Sequence, residues 1–93
     1  MQDDTALTGV LITGRVQGVG FRAWTRDAAC ARGLRGWVRN EPDGAVRAVL
    51  CGPEPAVADM LRTLKAGPPA ARVDRVATEP AEAPEGSGFA ILR

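Results

Sequence analysis

Residues Gly14 to Arg22, GRVQGVGFR, place three glycines and two arginines in one short stretch directly after an apolar run. A glycine-rich turn between a strand and a helix aims unpaired backbone N–H groups at one point, where the helix dipole adds partial positive charge. Such a concavity holds an anion. Arg22, at the start of the helix, can add a fork of donors matched to phosphate or carboxylate geometry. The same residues also suit a plain tight turn, with Gly18 and Gly20 supplying geometry and Arg22 solvated. On chemistry alone the two readings stand level.

Other glycine-loop chemistries fit less well. A Walker A loop ends in Gly-Lys-Ser/Thr, whereas Gly20 precedes Phe21 and Arg22. GVGFRA satisfies the dinucleotide pattern G-x-G-x-x-A, and Glu41 lies about where a ribose-binding acid would, but two helices are too few for a doubly wound sheet. RGWVRNEP matches only the first positions of an RNA-recognition strand and lacks its later aromatics.

The elements that must position the loop follow from periodicity. Leu7 to Gly14 is rich in β-branched and aliphatic residues and reads as a strand. Phe21, Trp24, Ala28 and Ala31 then recur at helical spacing, and Gly33 ends that helix. Gly36 to Val38 begins a second strand; NEPDG, Asn40 to Gly44, has the chemistry of a tight reversal, and Ala45 to Gly52 is the return strand. Val57, Met60, Leu61 and Leu64 make a second helical stripe, with Pro53 or Pro55 in its first turn and Gly67 to Pro69 ending it. Ala71 to Thr78 and Gly88 to Arg93 read as strands, joined by a polar linker, EPAEAPEGS. This order predicts an α+β fold, the ferredoxin-like βαββαβ sandwich, with both helices on one face of a largely antiparallel four- to five-stranded sheet. Trp24 and Trp37 are expected in the core beneath the sheet, and Arg26, Arg35 and Arg39 in solvent.

Ninety-three residues fit one domain, 1–93, with a single modest core. The net charge of +1 carries no general polyanion-binding signature, yet Gly14 to Arg39 holds six arginines against one aspartate, a local surplus of five positive charges. The start MQDD is acidic, and the next apolar stretch is short and interrupted, which fits neither a leader nor a membrane span; a cytoplasmic protein is expected. Cys30 and Cys51 are too far apart for a zinc pair, and the chain has no histidine, so no metal site is expected and both thiols read as free.

GRVQGVGFR followed by GLRGWVRNEPDGAV closely resembles the acylphosphatases, and the likeness continues through GPEPAVADML and RVDRV to SGFAILR. The resemblance implies hydrolysis of a carboxyl phosphate to carboxylate and inorganic phosphate, with no metal and no cofactor. It implies that the amides of Gln17, Gly18, Val19, Gly20 and Phe21 bind phosphate with Arg22, and that Asn40 orients the attacking water. A leaving carboxylate, whose conjugate acid has a pKa of about 4, departs without a general acid, so a chain lacking histidine can run the reaction. Ala45 is apolar where a polar side chain could have supported Asn40. The expected partners are a small acyl phosphate and inorganic phosphate, as product and inhibitor, with no nucleic acid or membrane, and the expected state is a monomer. A non-catalytic anion-binding module and an RNA-binding sheet are the competing readings.

Overall fold

A computed structural model describes residues 5–93; the acidic start, residues 1–4, lies outside the described residues. The elements follow in the order β1 (Thr5–Arg15), α1 (Phe21–Ala31), β2 (Arg35–Asn40), β3 (Val46–Pro53), α2 (Glu54–Ala66), β4 (Arg72–Glu79) and β5 (Phe89–Ile91). They form a five-stranded sheet ordered β4-β1-β3-β2-β5. The pairs β1/β3, β1/β4 and β2/β3 are antiparallel, and β5 joins β2 in parallel. This is the expected ferredoxin-like sandwich.

Alternation along the strands sets the layers. Val10, Ile12, Val38, Val46, Ala48 and Leu50 are fully buried and share the core with Phe21 and Ala29 of α1 and Val57, Met60 and Leu64 of α2. Both helices therefore cover one face of the sheet. Each fully buried side chain the size of Met60 or Leu64 contributes about 1.5–3 kcal/mol relative to exposure. α1 ends in a Schellman arrangement: Gly33 N–H donates to Cys30 O (3.0 Å) and Leu34 N–H to Ala29 O (3.0 Å), with Leu34 and Ala29 both buried.

Three expectations about side chains are corrected. The buried line of α1 is Phe21, Thr25 and Ala29; Trp24 and Ala28 sit at its margin and Ala31 is exposed. Trp37 is only half-buried and faces away from the helices, because its neighbours Gly36 and Val38 point inward and a strand alternates. There the Arg39 guanidinium lies 4.9 Å from its ring centroid. Arg35 and Arg39 are likewise engaged rather than solvated: Arg35 donates to Pro84 O (2.7 Å) and Gly86 O (3.2 Å), and Arg39 pairs with Glu41 (2.7 Å). Arg35 thereby fastens the linker across the face of the sheet opposite the helices, and Pro84 is buried there.

Candidate active site

Residues 16–20 carry the chain from β1 to α1 with Gly18 at φ 76° and Gly20 at φ 77°. A Cβ at either position would meet nothing within 4 Å, so the demand for glycine is one of backbone conformation and not of space. Gly20 is the N-cap of α1 and offers no side-chain acceptor, and the first turn of that helix holds no acid. Among the described residues, none of the backbone N–H groups from Gln17 to Ala23 donates to a protein acceptor. A helix start so left uncapped is a ready site for an anion.

Val16, Gly18, Gly20, Phe21, Arg22, Ala23, Asn40 and Ile91 line a cavity of about 210 Å³ at this point. Asn40 reaches it because it ends β2 on the same face as Gly36 and Val38, the face that α1 covers. A larger groove, about 550 Å³, lies on the opposite face of the sheet around Trp37, Arg39, Arg47 and Glu79. Its cations are already neutralised: Glu41 pairs with Arg39 and Arg47, and Glu79 pairs with Arg47. The hydrogen bond that Arg47 donates to Glu79 is the main cause holding the Arg47 pKa above the ordinary arginine value. The smaller cavity is the one with unmatched positive charge.

The arginines of the basic segment sort accordingly. Arg26 pairs with Asp27, Arg32 with Asp59, Arg39 with Glu41, and Arg35 donates to two carbonyls. Arg15, which is exposed, and Arg22, which is half-buried, make no side-chain hydrogen bond or ion pair with any described residue. A half-desolvated guanidinium is costly without an anion, and that of Arg22 borders the cavity.

The candidate residues from the sequence divide between cavity and support. Gly18, Gly20, Phe21, Arg22 and Asn40 line the cavity together. Val19 packs instead against the core, and the side chain of Gln17 turns away to the β2–β3 turn, where Nε2 donates to Glu41 O (2.8 Å) and Ala45 O (2.8 Å). Ala45 thus contributes through its backbone. Val16, Ala23 and Ile91 were not anticipated. Ile91 has no local signal, since it arrives only through the parallel pairing of Val38 with Ile91. Among the described residues no cluster of three His, Cys, Asp or Glu side chains could hold a metal ion, and no helix is long and apolar enough to cross a membrane.

Comparisons with known proteins identify the family and the fold. A family model described as acylphosphatase matches residues 8–91. The chain is similar to an acylphosphatase of Sinorhizobium medicae, with 51% identity over 94 residues and full coverage of both chains. Among solved structures it is similar to an acylphosphatase from Bacillus subtilis, at TM-score 0.86 and 35% identity over 94% of this chain and 98% of that one. It is also similar to one from Coxiella burnetii, at TM-score 0.88 and 34% identity over 95% of this chain and 93% of that one.

Proposed function

This chain belongs to the acylphosphatase family and hydrolyses acyl phosphates to carboxylate and inorganic phosphate, and we propose that Arg22 and the loop amides hold the phosphoryl group while Asn40 orients the attacking water. The observation that supports this assignment is the shared cavity: the loop glycines, Arg22 with no partner among the described residues, and Asn40 border one space although Asn40 is far from the loop in sequence.

Charge in a phosphoryl-transfer transition state spreads over the equatorial oxygens, so preorganised donors and positioning supply most of the catalysis. Arg22 offers its fork, and the amides of Gln17 to Phe21 need no reorganisation because no acceptor among the described residues competes for them. Neither an arginine nor an asparagine accepts a proton at neutral pH, so the proton of the attacking water passes to a phosphate oxygen of the substrate. The carboxylate leaves as a stable anion, and the step needs neither metal nor cofactor.

The proposal extends to a single-domain monomer acting in the cytoplasm, inhibited by the phosphate that it releases. Phosphate fits the same donors as the substrate. The free thiols Cys30 and Cys51 suit a reducing compartment. The outer strand β4 carries Arg72, Asp74, Arg75 and Glu79, charges that oppose pairing with a second sheet edge.

The decisive measurement is hydrolysis of benzoyl phosphate after EDTA treatment by wild type and by the Arg22→Ala and Asn40→Ala variants. Turnover by the wild type is expected, with both variants impaired and phosphate binding kept in Asn40→Ala. Full activity in Arg22→Ala would remove the basis of the site.

A further inference from the structure

We infer that the side-chain amide of Gln17 is a positioning residue that sets the distance between the phosphate loop and Asn40. The inference rests on the site proposed above. Gln17 belongs to the loop, yet its Nε2 spans to the turn between β2 and β3 and donates to two carbonyls there, Glu41 O and Ala45 O, each at 2.8 Å. Glu41 directly follows Asn40, so the amide grips the backbone next to the group that orients water.

The turn does not need this amide for its own integrity. Glu41 O already accepts from Gly44 N (3.1 Å), Ala45 O already accepts from Glu41 N (2.8 Å), and Asp43 Oδ1 accepts from Ala45 N (3.0 Å). Both carbonyls gripped by Gln17 keep a donor without it, so removing the amide leaves no buried carbonyl unsatisfied. What it adds is a tie between two segments that are otherwise distant in sequence. The turn is braced on its other side, where the Glu41 carboxylate pairs with Arg39 (2.7 Å) and Arg47 (3.5 Å), and Arg47 in turn pairs with Glu79. Gln17 is thus the link from a braced turn to a loop whose own amides are uncommitted. Small displacements between a held phosphoryl group and the group that orients its nucleophile are expensive in rate, because the entropic advantage depends on alignment.

Gln17→Met keeps the length and volume of the side chain and removes both donors; Gln17→Asn keeps an amide that is one methylene too short to reach. Both retain every loop N–H and Arg22. With benzoyl phosphate, each variant is expected to lose about tenfold in kcat, on the scale of a modest misalignment. The inhibition constant for inorganic phosphate stays within about twofold of wild type, since the phosphate donors are intact. Tm falls by no more than about 10 °C, the scale of two net hydrogen bonds in a domain of this size. In an Asn40→Ala background, Gln17→Met is expected to lower kcat no further, because its effect passes through Asn40. Wild-type kcat in Gln17→Met and Gln17→Asn, or an equal loss whether or not Asn40 is present, overturns the positioning role while leaving the site itself standing. Full turnover in Asn40→Ala overturns the assignment of the site and this inference together.

Discussion

The two helices of this protein begin in opposite ways. α2 follows the rules for a stable helix: Pro55 in its first turn, Glu54 at its positive end, Lys65 in its last turn and Gly67 just beyond. α1 breaks them. Its N-cap is a glycine at φ 77°, its first turn carries Arg22 where an acid would be favourable, and Thr25 sits fully buried with no partner for its Oγ1 among the described residues. The difference teaches where each helix finds its stability. Neither N-cap makes a side-chain hydrogen bond, but α2 has favourable charge at both ends, whereas α1 has no acid in its first turn and depends on the core contacts of Phe21 and Ala29 and on its Schellman end.

The largest test of this contrast is Arg22→Ala. Turnover of benzoyl phosphate is expected to fall by about 10²-fold or more, as for other transition-state donors. Tm should hold or rise slightly, because a cation leaves the positive end of a helix. Arg22→Lys should also be poor, a point charge replacing a fork. Glu54→Ala on α2 is expected to do the reverse, leaving kcat unchanged and lowering stability by about 0.3–1 kcal/mol. An Arg22 variant that lost folding stability but not turnover would erase the distinction between the helix starts.

Next in size is Gly20→Ala. The space around the new methyl is open, so the penalty is the left-handed backbone alone, about 1–2 kcal/mol. Chemical denaturation should show that loss, and kcat should fall as the loop relaxes. Unchanged stability would mean that the loop tolerates an ordinary residue in that conformation.

Thr25→Val works in the other direction. Exchanging a buried hydroxyl that has no partner for a methyl of similar shape should stabilise the fold by about 1 kcal/mol. The urea midpoint would move up with an unchanged slope. A destabilised Thr25→Val would show that the hydroxyl contributes to the native state.

The smallest effect is expected where α1 ends against α2. Arg32 donates to Ala28 O (2.8 Å), to Asp59 (2.7 Å) and to Thr63 Oγ1 (2.9 Å), and its hydrogen bond to Asp59 is the main cause of the lowered pKa of that carboxyl. A carboxyl whose folded pKa is depressed contributes stability that is fully present above its unfolded value of about 4 and is lost as pH falls through the folded value. Asp59→Asn should therefore flatten part of the acid limb of the stability profile and change little at neutral pH. The pair is half-buried and still reached by solvent, so the change should be slight and should shrink further in salt. An acid limb identical in wild type and Asp59→Asn would show that this pair contributes nothing.

Much of the site was legible because its signals are local. Glycines two apart between a strand and a helix, with an arginine two residues after the second, state both the conformation and the charge. Asn40 could be placed at the end of its strand from the turn chemistry that follows it. Trp37 was misplaced although the alternation that expels it was present in Gly36 and Val38. Ile91, the grip of Gln17 on Glu41 and Ala45, and the course of the linker over the sheet had no such local mark.

The amino-acid order alone determined which segments become strands and helices, where the glycine-rich turn falls and which residues beside it are chemically able to hold an anion, since propensity, capping and turn geometry depend on neighbours in the chain. Only the tertiary structure decided that the arginine beside the cavity has no partner among the described residues, which face each tryptophan takes, and which distant backbone the loop is tied to. Those outcomes depend on strand register and packing, which bring together groups whose separation along the chain carries no information about their contact.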